Sequence, residues 1–238
     1  MRVVDRILAI SDIHGESRSL LALLKVCDYD PNNDLLIIVG DLLDRGRENL
    51  ETLAICQKLQ QQGAIVLKGN HERFAQDSIV EMLTTENWRT QPSEDLYNWY
   101  MYHGGYSTFQ EIKNLPPEGL EHILQFISSL PFYYTTGRFI FAHAGANTTK
   151  SIENNEENDT IWMDESFPFC PAYHDKMLIF GHVPTWNLSP YNPKFNKRKQ
   201  AKIWYDKVYK DKIGIDCGSC FGGRLAALEI PTYREFYV

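Results

Sequence analysis

Six short stretches carry side chains able to do chemistry, and each of five sits at the end of an apolar run. "SDIHGE" covers Ser11–Glu16, "GDLLDRG" covers Gly40–Gly46, "GNHER" covers Gly69–Arg73, "HAG" covers His143–Gly145 and "GHVP" covers Gly181–Pro184. The sixth, "CGSC" at Cys217–Cys220, has no second Cys pair, so a zinc or redox site there is a weak reading. Among the five, Asp12, His14, Asp41, Asn70, His143 and His182 offer carboxylate, imidazole and amide oxygen, with no thiolate. That donor set suits Mn2+, Fe or Zn2+ in a catalytic rather than a structural site. Six ligands exceed what one catalytic metal needs if it also holds water. They suffice for two divalent ions sharing a carboxylate, with Asp41 the natural bridge.

Elements that could bring such distant residues together are legible in the hydrophobic pattern. Arg6–Ile10, Leu35–Val39, Ala64–Leu67, Phe139–Ala142 and Met177–Phe180 read as continuous, doubly covered strands. Ser17–Cys27 and Glu48–Gln62 show helical periodicity, with Ser17 able to cap the first. The order β-α-β-α-β predicts a parallel sheet with right-handed crossovers. In such sheets ligands bind at the carboxyl ends of the strands, where all five polar stretches fall. From about Glu72 to Ser129 helical patterns and aromatics dominate, broken by Gly104-Gly105 and Pro116-Pro117, and no motif is legible there. This reads as a helical insertion of about residues 73–130 within one domain covering 1–238. After Pro131 strand patterns return, ending in "GGRLAALEI" and "REFYV".

Composition narrows the class. The chain has 238 residues, 43% hydrophobic and 23% charged, as expected of a globular protein. A net charge of −7 argues against general nucleic-acid binding. No apolar stretch reaches the length of a membrane span, and no secretory signal is legible at the N-terminus. Five scattered cysteines fit a reducing cytoplasm, with Cys27 and Cys56 in the core. A Lys-rich segment (Lys194–Lys212) and an acidic one (Glu153–Glu165) read as solvated loops.

The five blocks, taken in order, resemble the signature motifs of the calcineurin-like metallophosphoesterases. "GDLLDRG" with "GNHE" is similar to the phosphoprotein phosphatase branch of the bacterial Ser/Thr type. The resemblance runs from Arg6 to Phe221 and implies a four-layer αββα sandwich with a two-metal site at one end. It implies Asp12, His14 and Asp41 on one metal, and Asp41, Asn70, His143 and His182 on the other. His71 would then protonate the leaving alkoxide, Asp44 would orient His71, and Arg45 would grip phosphoryl oxygens. Mn2+ is the expected ion. General physics agrees: paired divalent ions acidify a shared water, an alkoxide needs a proton donor, and a guanidinium fork matches two phosphate oxygens. His71 as a further metal ligand, and Arg45 in a surface ion pair with Asp44, are the alternatives. Glu16 and Glu72 read as supports.

The expected activity is a cytoplasmic Ser/Thr protein phosphatase. The alternatives are a symmetrical diadenosine tetraphosphate hydrolase or other nucleotide phosphoesterase, and a non-catalytic scaffold. One departure stands out. Where the family usually carries an arginine after "HAG", in "WIRD" or similar, this chain has "IWMDESF" with Asp164. Arg73, Arg224 or the Lys194–Lys212 segment could replace that arginine.

Overall fold

The computed structural model describes residues 6–188 and 200–238. Two five-stranded sheets stack on each other. The first has the order β10-β9-β1-β2-β3, and the second β4-β5-β6-β8-β7. In the first sheet β1 (Arg6–Ile10), β2 (Asp34–Ile38) and β3 (Ile65–Val66) run parallel, joined by α1 (Ser17–Val26) and α2 (Asn49–Gln61). β9 (Ala226–Ile230) and β10 (Glu235–Tyr237) close its other edge antiparallel. In the second sheet β5 (Phe139–Ala142), β6 (Met177–Phe180) and β8 (Lys212–Gly214) are parallel. β4 (Tyr133–Thr136) and β7 (Trp204–Tyr205) flank them antiparallel.

Alternation of side chains explains why the strand sequences are apolar throughout. Leu8, Ile10, Leu36 and Ile38 point into a core shared with the helices. Their neighbours Ala9, Ile37 and Val39 point between the sheets, meeting Phe141, Ile179 and Ile213. Leu178 and Phe180 face outward from the second sheet onto Ile152, Phe167 and Leu188. That outer layer contains α7 (Glu157–Ile161) and short 3-10 turns. Between β3 and β4 lie α3 (Asn70–Thr84), α4 (Glu94–Tyr102), α5 (Tyr106–Ile112) and α6 (Pro117–Ser128). They pack Trp99, Leu96, Ile112 and Phe126 onto the first core. No helix among the described residues is long and apolar enough to cross a membrane.

Ser17 is not the cap of α1. It is the first helical residue, and its hydroxyl donates to Glu48 and Glu51 instead, tying α1 to the start of α2. The other end of α1 is capped from β1. The Arg6 guanidinium donates to the Cys27 and Asp28 carbonyls at 2.7 and 2.9 Å. It also pairs with Asp34 at 3.0 Å and Glu229 at 2.8 Å, so one cation links β1, β2, β9 and the negative end of a helix dipole. That link has a stability consequence: Asp34 and Glu229 are both buried, and they lose their counter-charge together if Arg6 goes. Arg6→Met is expected to cost about 3 kcal/mol, the low end for breaking a buried pair, because Arg6 is partly exposed. Urea unfolding checks this, and a loss under about 1 kcal/mol would reduce the network to surface pairs.

Candidate metal centre

The carboxyl ends of β1, β2, β3, β5 and β6 lie at one edge of the stacked sheets. Their loops are laced together by backbone hydrogen bonds. The amides of Asp12, His14 and Gly15 donate to Gly40, Asp41 and Leu42 carbonyls, and the Gly181 amide donates to the His143 carbonyl. The turns are tight enough that ordinary residues adopt left-handed backbone. Asp12, His14, Asp41, Asp44, Arg45 and His182 all have φ between 47° and 73°. Such positions cost free energy and persist where surroundings hold them. Two glycines are required for the close approaches. A Cβ at Gly181 would strike Ser11 and Asp12, and one at Gly69 would strike Asp41.

All six sequence-derived donors meet there. Asp12, His14, Asp41, Asn70 and His143 are buried, and His182 is partly so. The His14 and His143 rings lie with Nδ1 2.7 Å from the Leu43 carbonyl and 2.9 Å from the Val39 carbonyl. Each therefore donates from Nδ1 and turns an Nε2 lone pair inward, the orientation a metal ligand needs. His143 Nε2 then sits 3.0 Å from Asn70 Oδ1, 3.2 Å from His182 Nδ1 and 3.3 Å from Asp41 Oδ1. Asn70 Oδ1 is also 3.0 Å from His182 Nδ1. Four acceptors face one another, and one proton cannot satisfy them all; a cation can. On the other side of Asp41, His14 Nε2 is 3.5 Å from its Oδ2 and 3.9 Å from Asp12 Oδ1. The Arg45 guanidinium rests against that nitrogen, standing in for a cation. Two groups could hold ions: Asp41 with His143 and His182, and Asp41 with His14 and His71. The donor chemistry fits two divalent ions.

Charge perturbations follow the same geometry. Burial opposes the imidazolium of His143, but Asp41 and Asp12 outweigh it and raise its pKa to about 10. Burial and the nearby His143 push His182 down to about 3. Burial raises Asp12 to about 6. Burial also works against the Asp41 carboxylate, yet the surrounding histidines hold it well below the usual range.

His71 stands beside these donors with a different partner. Its Nδ1 donates to Asp44 at 2.7 Å, which aims Nε2 at Asp41, 3.9 Å away. Glu72 supports the loops: its carboxylate accepts from the Gly69, Asp41 and Leu42 amides at 2.8, 2.9 and 2.8 Å. Arg45 is exposed at the rim and lies 4.9 Å from the Phe221 ring. The rim carries further aromatic surface. Phe74 stacks on His103 and meets Trp162 edge-on, and Trp162 in turn lies edge-on to His182.

Several supports were not legible in sequence. Asp216 is buried near Asp12, its oxygen accepting from the Gly218 amide, and burial pushes its pKa well up. Trp99 and Thr108 from the helical segment bond Asp44. Of the residues expected to replace the missing arginine, Arg73, Arg224 and Lys212 are engaged elsewhere. Arg73 pairs with Asp77 and Glu157. Arg224 bonds the Ala201 carbonyl and lies over Tyr237. Lys212 is buried with Asp206 and Asp211. Residues 194–199 of the Lys-rich segment lie outside the described residues. Asp164 is exposed, and one of its oxygens accepts from the Ser166 amide and hydroxyl. It lines a cleft of about 420 Å3 with Ala144, Asn147 and Trp162. Cys217 and Cys220 join no metal-holding group among the described residues.

Comparison with known proteins places this geometry. The family model described as calcineurin-like phosphoesterase matches residues 5–212. Serine/threonine-protein phosphatase 2 of Salmonella typhimurium is 32% identical over 233 residues, covering 93% of this chain and 91% of that one. A symmetrical bis(5'-nucleosyl)-tetraphosphatase of Dechloromonas aromatica is 31% identical over 137 residues, 58% of this chain. The chain spans only 42% of that relative's length. A crystal structure provisionally assigned as a diadenosine tetraphosphatase superposes with a TM-score of 0.70 at 19% identity, covering 98% of this chain and 92% of that one. That likeness establishes the shared two-sheet fold.

The Glu72 hydrogen bonds predict a stability effect that needs no substrate. Glu72→Gln replaces an accepting oxygen with an NH2 group facing backbone N–H donors. The expected loss is about 2–3 kcal/mol in urea unfolding. An unchanged midpoint would mean that the loops are held without it.

Proposed function

We infer that this chain, which belongs to the calcineurin-like phosphoesterase family, is a hydrolase of phosphomonoesters on protein serine and threonine. The observation that carries the reading is the inward convergence of acceptors on Asp41 next to the hydrogen-bonded His71–Asp44 pair. Asp12, His14 and Asp41 would hold one divalent ion, and Asp41, Asn70, His143 and His182 a second, with Mn2+ the expected metal. When bound, the pair would supply Lewis acidity for the phosphoryl oxygens and for the attacking water.

The chain's own groups supply the rest. Arg45, at the rim against His14, is placed to swing its fork onto phosphoryl oxygens. His71, its Nδ1–H held by Asp44, presents Nε2 to the site, and the doubly protonated ring would give its Nε2 proton to the leaving oxygen. The 32% identity to the Salmonella phosphatase over 93% of this chain supports the protein-directed reading.

A second reading, hydrolysis of a dinucleoside polyphosphate, is favoured by the aromatic rim. Trp162 is 40% exposed, and Phe74 and His103 stack beside it, a surface suited to a nucleobase. Arg45 and Arg47, with Glu16 and an Arg18–Glu48 ion pair, line a second cleft of about 380 Å3 beside the rim, where the two arginines could meet additional phosphates. Asp164, where an arginine would clamp a lone dianion, fits this reading too.

Two experiments test the assignment. Dialysis against EDTA is expected to abolish turnover and Mn2+ to restore it; full activity in excess chelator would overturn the two-metal reading. Turnover of a phosphoserine peptide, 4-nitrophenyl phosphate and diadenosine tetraphosphate then separates the substrates. Preference for the peptide supports the first reading, and preference for the dinucleotide, weakened in KM by Trp162→Ala, supports the second. His71→Asn is expected to keep both metals and lower kcat for the preferred alkyl substrate about 10²–10⁴-fold. Loss of the metals would make His71 a ligand.

A further inference from the structure

Asp44 is fully buried, and its carboxylate is occupied on every side. Oδ2 accepts from His71 Nδ1 at 2.7 Å and from the Trp99 indole Nε1 at 2.8 Å. Oδ1 accepts from the Thr108 hydroxyl. The Asp44 amide donates to Asn49 Oδ1 at 2.8 Å and to Thr108 Oγ1 at 3.1 Å. Trp99 is on α4 and Thr108 on α5, both in the helical segment that joins β3 to β4.

The same segment grips the neighbouring residues. The Arg45 amide donates to the Gly104 carbonyl at 2.9 Å. Glu111 on α5 accepts from the Asn49 and Leu50 amides at 3.0 and 2.9 Å, capping α2 just after the "DRG" turn. A Cβ at Gly105 would collide with the Trp99 indole, and one at Gly104 would collide with the Arg45 side chain. Asp44 and Arg45 are both left-handed, with φ of 73° and 68°, so this turn depends on such supports.

We propose that Trp99 and Thr108 are positioning residues that fix the Asp44 carboxylate and, through it, the tautomer and aim of His71. The proposal rests on the reading of His71 as proton donor to the leaving oxygen. A carboxylate with one donor can rotate about its Cβ–Cγ bond and turn away from the imidazole. With Trp99 on one lone pair of Oδ2 and Thr108 on Oδ1, only one orientation satisfies all three donors. In that orientation the remaining Oδ2 lone pair faces His71 Nδ1–H, and Nε2 is left for the site. The fully buried indole contributes its N–H as well as its volume.

The test uses the metal-loaded enzyme and two aryl phosphates that differ in leaving-group basicity, phenyl phosphate and 4-nitrophenyl phosphate. Trp99→Phe and Thr108→Val remove the donors while keeping most of the packing. Each is expected to retain two metals per chain and to lower kcat for phenyl phosphate about tenfold, a part of the general-acid contribution. KM should change less than kcat, and 4-nitrophenyl phosphate should be nearly unaffected. Thr108→Ser, which keeps the hydroxyl, should recover most of the loss. In a His71→Asn background neither variant should lower kcat further. Equal losses on both substrates, no recovery in Thr108→Ser, or a full further loss in the His71→Asn background would overturn the positioning role. If His71→Asn alone lowers both substrates equally, the donor reading of His71 fails instead, and the two failures are thereby distinguished. Should Trp99→Phe not fold, the Thr108→Val and Thr108→Ser pair carries the same test.

Discussion

Five carboxylates are buried around one edge of the molecule: Asp12, Asp41, Asp44, Glu72 and Asp216. An isolated buried carboxylate is not tolerated, so each must be neutralised by hydrogen bonds, by a proton or by a cation. Glu72 uses backbone amides, and Asp44 uses an imidazole, an indole and a hydroxyl. Asp12 takes the Ser11 hydroxyl and the His182 amide. Asp41 faces mainly histidine nitrogens. Those rings already spend their Nδ1 protons on backbone carbonyls in His14 and His143. Apart from the His71 amide, the charge around Asp41 is therefore not closed by fixed donors of the chain. That is the physical basis for reading it as the seat of cations.

This demand explains the backbone. Donors reach one point from five strands only if the loops turn sharply at once, and left-handed φ at six non-glycine positions is the result. The strain is borne by the sheets below. Parallel strands in register, with apolar side chains on both faces, leave their carboxyl ends little freedom. Hydrogen bonds between loops then pass the constraint sideways, from Gly40 to Asp12 and from His143 to Gly181. Glycine is needed where one loop presses directly on another, at Gly69 and Gly181.

Local pattern made part of this legible. The buried strands, the two crossover helices and the polar residues after each strand follow from hydrophobic runs and their punctuation, and the structure assembles them as a parallel set. Cys27 and Cys56 are buried, as helical periodicity suggests. What local pattern could not carry was any contact whose meaning depends on a distant partner. Ser17 has a capping residue's chemistry, yet its hydroxyl is drawn to Glu48, about thirty positions away. Asp216 follows an ordinary strand, and only the fold brings it near Asp12. Trp99 and Thr108 look like core residues because they are core residues; their polar atoms acquire a role only where Asp44 meets them. An exposed Asp164 held by Ser166 likewise could not be told from one facing a phosphate.

The helical segment that joins β3 to β4 changes how the site is bounded. Its contact with the "DRG" turn is polar and specific: an indole and a hydroxyl on Asp44, a carbonyl on the Arg45 amide, a carboxylate on the α2 amides. Its α3 begins at Asn70 and carries His71 and Glu72 in its first turn, while Phe74 and His103 form the aromatic rim. Donors, the proposed acid, its orienting carboxylate and the rim are thus joined through one block of helices. A change in how α4 and α5 pack would reach Asp44 and Arg45 together, because the same nine-residue stretch from Trp99 to Ser107 leads into Thr108 and holds both. The proposed proton transfer and phosphoryl grip are for that reason expected to be tuned jointly, from a part of the chain that supplies none of the candidate metal donors beyond Asn70 and His71.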